Sequence, residues 1–133
     1  MKSFSIIFIL IFTVSGFGQA KNGIYYRNDK NGKGDITIKS VNSRNKKVLN
    51  FQISVAGSRP GTCIGGVKGK AKWISPNTAE YNSDFNELDM DGNALVCRLT
   101  LIFSKNKITV REFECNDFHG AACGFEGVYR QRK

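Results

Sequence analysis

The side chains with the most chemistry lie toward the C-terminal end of the 133-residue chain. Glu112 follows Arg111 in an alternating segment, and His119, the single histidine, comes seven residues after Glu112. A carboxylate to take a proton, an imidazole to return one and a guanidinium to hold a phosphate would serve RNA cleavage. The same histidine can also sit in a loop with its ring bonded to backbone, where it only packs. Other catalytic patterns are missing: the chain has no Gly-x-Ser-x-Gly, no phosphate-cradling glycine loop and no histidine pair for zinc. No catalytic residue and no cofactor are therefore assigned.

Four acids gather in Asp84-Phe85-Asn86-Glu87-Leu88-Asp89-Met90-Asp91-Gly92-Asn93. Glu87-x-Asp89-x-Asp91-Gly92 imitates the start of a calcium loop, in which oxygens alternate ahead of a turning glycine. The twelfth position is Arg98, where that loop needs a bidentate glutamate, so the run is read as an acidic hairpin loop.

Cys63, Cys97, Cys115 and Cys123 are the cysteines. No C-x-x-C pair is present, which disfavours a tetrathiolate zinc site and leaves two disulfides in an oxidising compartment. The spacing predicts Cys115 paired with Cys123 around a short loop, and Cys63 with Cys97. That loop would present Phe118 and His119 as a pre-ordered anchor for a partner.

These residues need elements to position them. Past residue 20 no 18-residue window keeps a helical apolar period, whereas short alternating runs bounded by Gly, Asn, Asp and Ser recur. They predict strands at Gly23–Arg27, Asp35–Val41, Val48–Val55, Cys63–Ile74, Thr78–Asn82, Ala94–Phe103, Lys107–Glu114 and Gly124–Arg130. Turn signals between them include Asn28–Gly32, Ser43–Asn45, Ser75–Asn77 and Ser104–Asn106. Eight strands with hairpin-length links make an antiparallel meander, and closing it into a small barrel removes the sheet edges. A two-sheet sandwich meets the same strand count. The similar ends, Gly23-Ile24-Tyr25-Tyr26-Arg27 and Gly127-Val128-Tyr129-Arg130, favour closure by pairing the first strand with the last.

A period of two drafts the inward face. It should hold Ile36, Ile38, Leu49, Phe51, Ile53, Val55, Val67, Ala71, Trp73, Ala79 and Tyr81. Leu99, Leu101, Phe103, Ile108, Val110, Phe125 and Tyr129 complete it. Gly65, Gly66 and Gly69 mark either a barrel corner or a place where another backbone comes close. The same alternation puts Lys68, Lys70 and Lys72 on one outward stripe, able to meet an anionic polymer or simply to face water.

The N-terminal end reads as a leader. Lys2, the apolar run Phe4–Val14 and the small residues of Ser15–Ala20 make a cleavable secretory signal over 1–20, too short to span a bilayer. Residues 21–133 are then one secreted or periplasmic domain, expected to be monomeric. Removing Lys2 with the leader leaves 19 bases against 11 acids, a net charge of +8. Such a charge favours anionic partners, namely envelope polymer, lipid head groups or nucleic acid, and it also aids solubility.

The run from Cys63-Ile64-Gly65-Gly66 through Gly69-Lys70-Ala71, Ala79-Glu80-Tyr81, Cys97-x-Leu99-x-Leu101, Val110-x-Glu112 and Cys115 to Cys123-x-Phe125-x-Gly127-x-Tyr129 resembles a group of uncharacterised small exported bacterial proteins. That group shares spaced cysteines and a closing Phe-x-Gly-x-Tyr. More loosely, the run resembles the small barrel inhibitors of animal-type lysozyme. The resemblance covers about residues 63–130 and implies a secreted, disulfide-bonded β domain. It transfers no inhibitory residue, because a positive surface repels a cationic lysozyme.

The expected function is a non-enzymatic binding or inhibitor-like domain engaging an anionic or protein partner. Phe118, His119, Lys68, Lys70, Lys72 and Arg130, with Arg132, would form one docking surface. The alternatives are a small secreted ribonuclease using Glu112 and His119, or a barrel holding a lipid or other small ligand.

Overall fold

A computed structural model describes residues 21–39, 48–59, 61–83, 90–93 and 95–132. The expected leader, the turn signal at Ser43–Asn45 and the acidic residues Asp84–Asp89 lie outside the described residues. Eight antiparallel strands follow one another around a closed barrel: β1 Gly23–Asp29, β2 Gly32–Lys39, β3 Val48–Ala56, β4 Ile64–Ser75, β5 Thr78–Asn82, β6 Arg98–Ser104, β7 Lys107–Phe113 and β8 Gly127–Gln131. The barrel closes where Tyr25 pairs with Gln131 and Tyr26 with Arg130, joining first strand to last.

Alternation sets the two faces, because successive side chains of a strand point to opposite sides. Every residue drafted for the inward face is buried in the core or, for Trp73 and Tyr81, packed against it. Tyr25, Tyr129, Phe103 and Phe125 are among the largest fully buried side chains. Each such side chain stabilises the fold by about 1.5–3 kcal/mol relative to exposure. The interior is filled by apolar side chains, while Lys39 of β2 and Lys68, Lys70 and Lys72 of β4 face outward.

Strand boundaries move where side chains take over backbone hydrogen bonds. β2 starts at Gly32 rather than Asp35, since a two-residue turn pairs Gly32 with Asp29 and Asn31 N donates to Asp29 Oδ1 at 2.8 Å. β6 starts at Arg98 rather than Ala94. Ser83 N still donates to Cys97 O at 3.0 Å, but Ser83 Oγ accepts from Cys97 N and donates to Leu95 O, both at 2.9 Å, so a side chain takes over the next bonds of the ladder. β8 starts at Gly127 rather than Gly124 for a similar reason, developed below.

The disulfides are Cys63–Cys123 and Cys97–Cys115, which corrects the expected pairing. Proximity around the sheet, not along the chain, decides it. Arg98 lies opposite Phe113 on adjacent strands β6 and β7, so Cys97 and Cys115 just beyond meet with Cα atoms 4.2 Å apart. Cys63 precedes β4, which β5 separates from β6, so a bond to Cys97 would have to pass across β5.

Non-reduced peptide mapping should recover Cys63–Cys123 and Cys97–Cys115 linked fragments, and a Cys115–Cys123 fragment would contradict the topology. Chain-entropy arguments give about 4 kcal/mol for the 60-residue separation and about 3 kcal/mol for the 18-residue one. Denaturant unfolding of Cys63→Ala/Cys123→Ala should therefore show the larger loss of stability than Cys97→Ala/Cys115→Ala.

Candidate functional site

Strand direction places the β1–β2, β3–β4, β5–β6 and β7–β8 links at one end of the barrel, here called the mouth. The β7–β8 link, residues 114–126, crosses it. His119 bridges to Gly65 at the start of β4, and Cys123 is bonded to Cys63 beside it. β4 stands opposite β8, with three strands between them on either side. A segment tied to both walls must span the opening. Gly65 permits this contact: a Cβ there would lie 2.4 Å from His119 Cβ and 2.8 Å from Phe118 O. The backbone that comes close to the glycine-rich strand is thus the chain's own. Gly69 makes room for the Tyr81 ring, which a Cβ would meet at 2.6 Å.

A buried cation holds the segment from the β1 side. Arg27 follows Tyr25 on the inward face of β1 and is 4% exposed. Its guanidinium donates to Gly124 O at 2.8 Å, to Glu126 O and to Asn31 O at 3.4 Å. Asp29 Oδ2 lies 3.6 Å from Nε, and the Tyr129 ring faces the guanidinium carbon at 5.1 Å. Arg27 Nε has no hydrogen-bond partner. Gly127, at φ 147°, leaves the space in which a Cβ would strike Arg27 Cδ at 2.6 Å. Burial holds the Tyr129 phenol well above the usual tyrosine range, the nearby Arg27 charge opposing, and its hydroxyl donates to Phe125 O at 2.7 Å.

Glu112 and His119 do meet. Nε2 of His119 lies 2.7 Å from Glu112 Oε2, and Phe125 N donates to Glu112 Oε1 at 2.8 Å. Nδ1 lies 2.7 Å from Gly120 O. A carbonyl only accepts, so Nδ1 carries a proton and Nε2 is occupied by the carboxyl group. The ring stands edge-on to Phe125 at 5.0 Å between centroids, with the His119 side chain 7% exposed. Arg111 is outward on β7 while Glu112 shares the inward parity of Ile108 and Val110. The three groups of the RNA-cleaving arrangement therefore do not converge, and the histidine–glutamate pair fastens the segment to the barrel. The small polar cleft beside it, about 260 Å³, is lined by Lys30, Asn31, Glu126 and residues of the segment itself.

The remaining expected site residues separate into two regions. Lys68, Lys70 and Lys72 are exposed in one outward row along β4. Arg130 lies on β8 across the barrel from them, and Arg132 stacks on Tyr26 at 4.4 Å. Both arginines line a groove of about 680 Å³ with Tyr26, Lys33, Asp35 and the exposed Ile64. Phe118 is half-buried against the core, where it seals more than it presents. No single docking surface unites the three groups. Of the calcium-like run, Asp91 and Gly92 are described, and no cluster of three or more His, Cys, Asp or Glu that could hold a metal occurs among the described residues.

Sequence reasoning missed Arg27 and three neighbours of the lysine row, Lys39, Asn50 and Gln52. The signal was present: Tyr25-x-Arg27 shares one parity, and Lys39, Asn50 and Gln52 take the parity opposite to Ile38, Phe51 and Ile53. Lys39 and Lys70 flank a cleft of about 520 Å³ whose walls include Thr37, Asn50, Gln52 and Lys68. Comparison of the chain with protein-family models, curated proteins and solved structures found no match.

Gly65→Ala should force His119 and the backbone of Phe118 off β4. A stability loss of about 1–3 kcal/mol is expected. Limited proteolysis should then cut within residues 115–126 sooner than in the wild type. Unchanged stability and unchanged cleavage would contradict the close approach.

Proposed function

We propose that this chain is an exported, non-enzymatic binding domain that engages an anionic partner through the outer face of β2, β3 and β4. The observation that carries the reading is charge placement. Lys39, Lys68, Lys70 and Lys72 share one continuous outward face, and none has an ion pair with a described residue. Unpaired lysines on a sheet face attract anions and raise association rates. The filled interior supports a partner met on the outside rather than a ligand enclosed within.

Two disulfides are consistent with an oxidising, extracellular or periplasmic location. The leader-like residues 1–20 and the resemblance to small exported bacterial proteins support export by secretion. The positive face weighs against a lysozyme-inhibitor role, since an inhibitor of a cationic enzyme gains from acidic complementarity. The saturated bonding of His119 weighs against the ribonuclease reading.

The exported protein should be retained on an anionic matrix and released by salt, with no retention on a neutral matrix of the same polymer. His119→Ala and Glu112→Ala should each lower stability by about 1–3 kcal/mol, because each leaves buried polar groups without partners. Neither should alter retention, and RNA incubated with the wild type should stay intact. RNA cleavage that both substitutions abolish would overturn the proposal in favour of the enzyme.

A further inference from the structure

The lysine row does not stand alone, and its neighbours restrict what it can bind. Register aligns Thr37 with Gln52 and Gln52 with Lys68 in one transverse row. The next row aligns Lys39, Asn50 and Lys70. Each row thus presents a cationic end next to side chains that donate and accept hydrogen bonds. No carboxylate belongs to either row. The face is bounded by Asp35 in the row above and by Glu80, which lies opposite Lys72 on β5.

Lys68, Lys70 and Lys72 recur every second residue, about 6.7 Å apart along an extended strand. Two residues of extended chain are six backbone bonds, reaching at most about 7 Å. A polymer with one charge every six backbone bonds therefore keeps step with the lysines when it lies along β4. Phosphodiester-linked polyols with three-carbon spacers have that repeat, and so do single-stranded nucleic acids. The two differ in what else they ask of a surface. Single-stranded nucleic acid binding relies on aromatic side chains that stack on bases, worth about 1–3 kcal/mol per base. Neither transverse row contains an aromatic residue, Phe51 between Asn50 and Gln52 points into the core, and Tyr81, which lines the cleft beside the lysines, is half-buried with its ring over Gly69 and edge-on to Phe51. Amide and hydroxyl side chains instead suit the hydroxyls of a polyol.

We infer that the outer face of β2–β4 is a binding track for a linear polyol-phosphate polymer, its phosphates on Lys68, Lys70 and Lys72 and its hydroxyls on Thr37, Asn50 and Gln52. This rests on the anionic-partner reading above and goes beyond it by fixing the polymer class and its direction along β4. Lys39, two strands away, holds a phosphate or branch that strays from the row.

Fluorescence anisotropy with labelled poly(glycerol phosphate) and with single-stranded RNA of equal charge count tests it on the exported protein. The polyol phosphate should bind more tightly than RNA. Lys68→Ala/Lys70→Ala/Lys72→Ala should weaken it roughly tenfold or more at low salt and flatten the salt dependence. Asn50→Ala/Gln52→Ala should weaken the polyol phosphate and leave RNA unchanged. All five side chains point outward from the sheet, and an unchanged thermal melt confirms that each variant is folded. RNA binding as tight as the polyol phosphate would overturn the polymer class while leaving an anion-binding domain. Wild-type affinity in the triple lysine variant would overturn the track. Binding to neither polymer would overturn both the track and the anionic-partner reading.

Discussion

A closed barrel removes its sheet edges but keeps two ends, through which water can reach the apolar interior. In this chain the segment between β7 and β8 answers that constraint at the mouth. It leaves β7 through a disulfide to the start of β6, crosses to β4, and bonds to the β3–β4 link before returning to β8. Arg27 then ties its last carbonyls to β1, and Glu112 ties Phe125 and His119 to β7. Four walls are joined through one stretch of irregular backbone. Backbone that runs over an apolar interior must find partners for its polar groups. A buried guanidinium with forked donors supplies them here, offset by Asp29 and the Tyr129 ring.

Side-chain parity sorts the charges of this chain between the two faces of the sheet. Arg27 and the lysines of β4 belong to the same electrostatic class, yet strand parity places the first inside and the others outside. The inner cation is surrounded by carbonyls, a carboxylate and an aromatic ring, so it stabilises the closed form. The outer cations form no ion pair with a described residue. The histidine, chemically the most versatile residue in the chain, falls on the inner side of this division. Its two nitrogens face a carbonyl and a carboxyl group that belong to the fold.

Most of the architecture was legible in the sequence, because alternation is a local property. Ile36 and Ile38, Leu99 to Phe103, and Ile108 and Val110 declare their face without reference to the rest of the chain. The similar ends around Tyr25 and Tyr129 also announced closure. What was not legible depended on contacts distant in sequence. Cys115 and Cys123 are near neighbours along the chain, but each bonds to a different wall of the barrel. Parity with Tyr25 puts Arg27 on the inner face, but nothing local reveals that carbonyls 97 and 99 residues away accept its hydrogen bonds. The lysine row was found because it lies on one strand. Its partners Lys39, Asn50 and Gln52 lie on two others, and only the register brings them together.

Residue-level mapping of a bound polymer tests most directly whether recognition takes place on the outside of a barrel that stays shut. Amide chemical shifts of the protein, followed while poly(glycerol phosphate) is added, should move at Thr37–Lys39, Asn50–Gln52 and Lys68–Lys72. Residues 115–126 and the core amides of Leu99 and Phe103 should stay in place. The largest changes at Phe118–Phe125, or in the core residues, would mean that the mouth opens or that the interior is the site, and would contradict the account.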